Sequence, residues 1–89
     1  MAKRIQKDPQ AVLDYRVDWS AWLAGDTIVA STWILETGIT NDLDTYNATT
    51  AVIWLSGGTL GEIYTVTNRI TTALGRIDDR TFLVEIKNK

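Results

Sequence analysis

From Tyr64 to Thr72 the chain alternates without interruption, with Tyr64, Val66, Asn68, Ile70 and Thr72 on one parity and Thr65, Thr67, Arg69 and Thr71 on the other. A period of two places successive side chains on opposite faces of an extended backbone, so the segment reads as a long strand of about ten residues, opened by Gly61. Such a strand needs partners on its edges and a cover on its apolar face.

The remaining sequence supplies them. Leu13, Tyr15, Val17 and Trp19 alternate with Asp14, Arg16 and Asp18, the pattern of a half-buried strand, and Ser20 to Asp26, ending in Gly25-Asp26, turns the chain. Thr27 to Leu35 is a second strand of mixed parity, which a bulge near Ser31 would reconcile. Gly38 and the polar run Thr40 to Asp44 mark a turn, with a short strand at Asp44 to Asn47 and a compact apolar one at Ala51 to Leu55. After the long strand, Gly75 and Asp78-Asp79 reverse the chain into Arg80 to Lys87, which completes a long hairpin. Helix is disfavoured: thirteen of the 89 residues are Thr, and Pro9 to Leu13, the one helical candidate, is too short to nucleate.

Six or seven short strands, with turn signals every 8 to 12 residues or so and no helix for a parallel crossover, indicate an all-β chain. The expectation is an immunoglobulin-like β-sandwich of about seven antiparallel strands over residues 13–89, preceded by an extended N-terminal arm over residues 1–12. Tyr64 stands at the start of the penultimate strand, where such sandwiches place a tyrosine whose hydroxyl braces the preceding corner. The candidate core is Tyr15, Val17, Trp19, Trp33, Trp54, Tyr64, Val66, Ile70, Phe82, Val84 and Ile86. Without cysteine there is no disulfide between the sheets, so the largest of these, Trp19, Trp33 and Trp54, are expected to hold them together. Asn68 falls on the apolar parity, and a buried amide needs hydrogen-bond partners, so it reads as a structural brace.

The absence of His and Cys removes the commonest general base, the thiol nucleophile and the usual zinc and copper ligands. No catalytic residue, metal site or cofactor is assigned, and the chain is not expected to be an enzyme. The carboxylate pairs Asp78-Asp79 and Asp42 with Asp44 are the remaining candidates for acid-base or hard-cation chemistry, but both lie in expected turns, where Asp bonds nearby backbone N–H groups. Ser56-Gly57-Gly58-Thr59-Leu60-Gly61 lacks the Gly-Lys-Ser/Thr ending of a phosphate loop and reads as a plain connection. Trp19 and Trp22 would serve either as sugar-stacking platforms or as core and corner packing.

A net charge of −2 gives no basic face for nucleic acid, and no apolar run approaches the roughly 20 residues that span a bilayer. Neither nucleic acid nor membrane is an expected partner. Charge is uneven, however: Met1 to Gln10 carries Lys3, Arg4 and Lys7 against Asp8 alone. This basic arm either lies on an acidic surface of a neighbouring copy or is a solvated tail. Lys3, Arg4 and Lys7, with Arg69, Arg76 and Arg80 on or near the final hairpin, are the candidate assembly contacts. Self-association would also stabilise a domain too small to bury a large core.

Three segments carry a resemblance: Lys7-Asp-Pro-Gln-Ala-Val-Leu-Asp-Tyr15, Trp54-Leu-Ser-Gly-Gly-Thr59, and Thr65-Val-Thr-Asn-Arg-Ile-Thr-Thr72 followed by Gly75-Arg76-Ile77-Asp78-Asp79-Arg80. Together they resemble the fiber-tail adaptor proteins of tailed bacteriophages, over nearly the whole chain from Lys7 to Ile86. The resemblance implies a structural virion protein, assembled in the cytoplasm of the bacterial host, that joins tail, neck, portal or fiber components as a homo-oligomer. A capsid decoration protein and a carbohydrate-binding β-sandwich module are the alternatives.

Overall fold

The computed structural model describes residues 3–88. Seven strands and one helical turn are described: β1 (Lys3–Lys7), β2 (Leu13–Asp18), α1 (Ser20–Leu23), β3 (Ile28–Leu35), β4 (Ile39–Tyr46), β5 (Thr50–Gly57), β6 (Ile63–Thr72) and β7 (Ile77–Ile86). They form two sheets, a four-stranded one in the order β1-β7-β6-β3 and a three-stranded one in the order β2-β5-β4. The chain is therefore all-β, as its periodicity requires.

The β6–β7 hairpin is the spine of the larger sheet, in antiparallel register from Ile63 opposite Glu85 to Thr71 opposite Ile77. Inward residues of both sheets meet in two apolar clusters. One gathers Ile39, Ile53, Leu55, Tyr64, Val66, Phe82, Val84 and Ile86, and the other Val17, Trp19, Leu23, Ile28 and Ile70. Half-buried Tyr15 and Trp33 pack against both clusters and join them. The Tyr15 and Phe82 rings lie 4.0 Å apart across the sheets.

Trp54, expected between the sheets, is only half-buried and points the other way. Ala51, Ile53 and Leu55 fill the inward parity of β5, which leaves Trp54 on the outer face with Leu43 as its cross-strand neighbour. Size alone suggested core; parity decides.

Two turns expected from sequence are strands instead. Asp42 and Asp44 lie within β4, an eight-residue edge strand exposed almost throughout, so no buried face imposed the alternation that would have announced it. Its register shifts between Asn41 and Leu43, the mark of a bulge at Asp42. Asp78 and Asp79 likewise stand in β7, opposite Ile70 and Arg69, and residues 73–76 make the reversal. The bulge expected near Ser31 in β3 occurs earlier, between Ile28 and Ala30.

Residues 3–7 of the expected arm are strand β1, paired parallel with β7 from Lys3 opposite Phe82 to Lys7 opposite Ile86. Ile5 packs on the first cluster, and Lys7 is fully buried. Met1, Ala2 and Lys89, at the two ends of the expected boundaries, lie outside the described residues.

Tyr64 is buried, and its hydroxyl accepts a 3.0 Å hydrogen bond from the N–H of Thr59, which holds the loop between β5 and β6 against the strand that follows. Gly58 in that loop has a φ of +98°, and a Cβ placed there would stand 2.5 Å from Cδ1 of Ile86. Gly58→Ala should therefore cost about 1–3 kcal/mol, from left-handed strain and overpacking together, read as a lowered urea midpoint at unchanged m-value.

Candidate functional site

The six cations singled out in the sequence separate into three settings. Arg69 and Asp79 form a bidentate pair on the outer face of the larger sheet, with Nε–Oδ1 at 2.8 Å and Nη2–Oδ2 at 3.0 Å. Exposed on both sides, such a pair contributes little to stability, but it neutralises one member of the Asp78-Asp79 couple. The Arg69 guanidinium hydrogen-bonds and attracts the Asp79 carboxyl and so holds it below the usual carboxylate range.

Arg76 and Lys7 work inside the fold. The Arg76 guanidinium lies 4.3 Å over the Trp22 ring, donates from Nε to Asp26 at 3.1 Å and donates from Nη2 to the carbonyl of Leu23 at 2.8 Å. It fastens the end of α1 to the β6–β7 turn. Lys7 donates from Nζ to the carbonyls of Gly57 at 2.7 Å and Asp8 at 2.9 Å. Burial pulls its pKa below the usual lysine value, opposed by the charges of Asp8 and Asp42. Its alternation with Ile5 turns it inward, so its ammonium is not presented at the surface.

Lys3 and Arg80 line one groove, and Arg4 lies on the same edge strand as Lys3. There β1 and β2 are the edges of their respective sheets, and the groove between them, of about 500 Å³, is lined by Lys3, Tyr15, Arg16, Asp18, Arg80 and Phe82 among others. Lys3 Nζ stands 5.8 Å from the centre of the Tyr15 ring. Arg80 lies 4.3 Å over Trp19 and donates to the carbonyl of Asp18 at 2.7 Å, which fixes a guanidinium that is otherwise exposed. Arg4 projects from the outward parity of the same edge strand, and Arg16, exposed on β2, adds a cation that the sequence reading had not singled out. Its alternation with Tyr15 and Val17 was the available signal, because it fixed Arg16 as outward-facing.

The aromatic and carboxylate alternatives find other settings. Trp19 is fully buried, packs edge-on against half-buried Trp22 with ring centres 5.4 Å apart, and donates its Nε1–H to Asn68 at 2.9 Å. Trp22 is covered by Arg76, and Trp54 stands on a different face, so these rings make no common stacking platform. Asn68 is the expected brace: besides accepting from Trp19, it donates to the Ser31 hydroxyl at 2.9 Å and the Thr32 carbonyl at 3.2 Å. Asp78 accepts from the N–H of Asp79. Among the described residues no three carboxylates cluster in a way that would hold a metal ion.

Among the described residues, the structure presents four unpaired strand edges, with exposed Lys3, Arg4, Arg16 and Arg80 on or beside the β1 and β2 edges. No curated protein matches the chain. The family model for the podophage GP4 fiber-tail adaptor protein gp77 matches residues 7–85, from the last residue of β1 to the last but one of β7. The match takes in almost every strand of the two sheets, and the chain belongs to the podophage GP4 fiber-tail adaptor family.

Proposed function

We propose that this chain is a structural component of a podophage virion that joins tail, neck or fiber parts through repeated contacts between copies of itself and with other virion proteins. The observation that carries the reading is the family match over residues 7–85, which spans β2 to β6 entire. The geometry supports it, because a sandwich with two unpaired edges on each flank has lateral surface to give to neighbours on both sides. The protein acts without catalysis, is assembled in the host cytoplasm and resides in the particle as a homo-oligomer.

An immunoglobulin-like arrangement is part of this proposal. Its support is the strand order, β2-β5-β4 facing β7-β6-β3, together with the Tyr64 hydroxyl bound to the loop that precedes its strand.

The test is a phage in which the gene is disrupted. Particles made without the protein are expected to lack fibers or to stop at an incomplete tail, and mass spectrometry of intact particles is expected to find the protein in many copies. Complete, fiber-bearing particles from the disrupted phage would sink the reading.

A further inference from the structure

The two flanks of the sandwich differ in charge. From Val17 to Asn68 the sequence contains no Lys or Arg, and β3 and β4 both fall within that stretch. These strands are the edges of the two sheets on one flank, where the Tyr46 hydroxyl on β4 donates to the carbonyl of Val29 on β3. Among the described residues, exposed Glu36, Asp42 and Asp44 make the charge of this flank acidic. The opposite flank is the one with the groove, where exposed Lys3, Arg4, Arg16 and Arg80 outnumber Asp14 and Asp18.

From this segregation we infer that copies of the chain pack side by side, head to tail, with the β3/β4 flank of one set against the β1/β2 flank of the next. This specifies the contact within the repeated assembly proposed above and rests on that reading. The occupant of each flank is a second copy because each carries the charge that the other lacks. The contact is heterologous: two different surfaces meet, so it repeats from copy to copy and closes as a ring when the rotation permits. The bulge at Asp42 interrupts the register of β4, where the exposed Asp42 and Asp44 carboxylates accept from the Ser56 hydroxyl and the Asn41 amide respectively; this disfavours a continuous intersubunit ladder and leaves charge as the main contact. Salt is then expected to weaken the association about tenfold or more between low and high ionic strength.

The absence of cysteine makes the test direct. Arg4 and Asp44 are both exposed, so Arg4→Cys and Asp44→Cys leave the core intact. Phage particles carrying the double variant are treated with a short bismaleimide. A ladder of linked oligomers from the double variant, with no linked dimers from either single variant, is the expected result. Linked dimers from one single variant alone would mean a symmetric contact and would overturn the inference. No ladder from particles that contain the protein would also overturn it, while leaving the adaptor reading standing; particles that lack the protein would remove both. A charge-exchange series provides the second measurement. Lys3→Glu with Arg4→Glu, or Asp42→Lys with Asp44→Lys, should each abolish assembly at low salt, and mixing the two variants should restore it. Failure of the mixture to assemble would count against complementary flanks.

Discussion

Trp19→Ala should lower stability by about 3–5 kcal/mol, a large part of what a domain of this size possesses, and lower the thermal midpoint by roughly 12 °C or more. Trp19 is fully buried in the second cluster, meets Trp22 edge-on, carries the Arg80 guanidinium on its ring and bonds Asn68, so truncation removes four contacts at once. A conservative pair separates packing from hydrogen bonding. Trp19→Phe keeps most of the ring volume but strands the Asn68 carbonyl in the core, at a cost of about 1–3 kcal/mol beyond the packing loss. Trp33→Phe is the comparison, since the buried Nε1 of Trp33 has no hydrogen-bond partner among the described residues. Removing that N–H forfeits no bond, and this substitution should cost clearly less. Equal losses in the two variants, measured by urea denaturation, would show that the Trp19–Asn68 bond contributes nothing.

Asp26→Ala should produce the second large effect, a fall in midpoint on the order of 10 °C, because one carboxylate organises the end of the molecule that holds α1 and the β6–β7 turn. Asp26 accepts from the N–H of Thr27 at 2.8 Å and of Leu74 at 3.3 Å, and from Arg76 Nε at 3.1 Å. Burial pushes its pKa up, but hydrogen bonds from the Thr72 hydroxyl, Thr27, Arg76 and Leu74 outweigh it and hold the carboxyl below its ordinary value. A carboxyl with a lower pKa in the folded chain is protonated more readily in the unfolded chain. Its stabilisation is therefore complete above the unfolded value of about 4 and is lost as pH falls through the folded one. Hydrogen bonds from Ser20 lower Asp18 in the same direction, those from Thr65 lower Glu36, and Arg69 lowers Asp79. The native protein should consequently lose stability below about pH 4, and Asp26→Asn should flatten that loss without abolishing it. An unchanged acid profile in Asp26→Asn would remove Asp26 from the account.

These two sites also show how far the sequence could be read. Asn68 was legible as a brace because its strand alternates so strictly that parity alone buries it, and a buried amide must find partners. Its principal partner was not legible: Trp19 lies far away in sequence, and only the packing of β2 over the β6–β7 hairpin brings them together. Asp26 was read as ordinary turn chemistry, since nothing local distinguishes a turn aspartate facing water from one receiving hydrogen bonds from a second turn. Edge strands hid for a related reason. β4 is exposed along nearly its whole length, so its residues were free to be polar and to look like a loop. The basic flank was half visible, in Lys3, Arg4 and Arg80. Its acidic counterpart went unnoticed because the informative feature there is a missing residue type, and an absence becomes a surface only when the fold gathers β3 and β4 on one side.

The pairing of β1 with β7 bears on when this protein becomes folded. Lys3 pairs with Phe82, so β1 can dock only after the long stretch of chain between them has been brought together. Closing so long a loop is slow, and architectures dominated by distant strand pairings fold in milliseconds to seconds rather than microseconds. Throughout that interval the edge of β7 that β1 will cover is open to other chains. The burial of Lys7 and its bond to the Gly57 carbonyl tie β1 to the end of β5 as well as to β7. Of the strand pairings in the larger sheet, β1 with β7 closes the longest loop, so the basic edge that β1 carries exists only where the rest of that sheet is able to receive it.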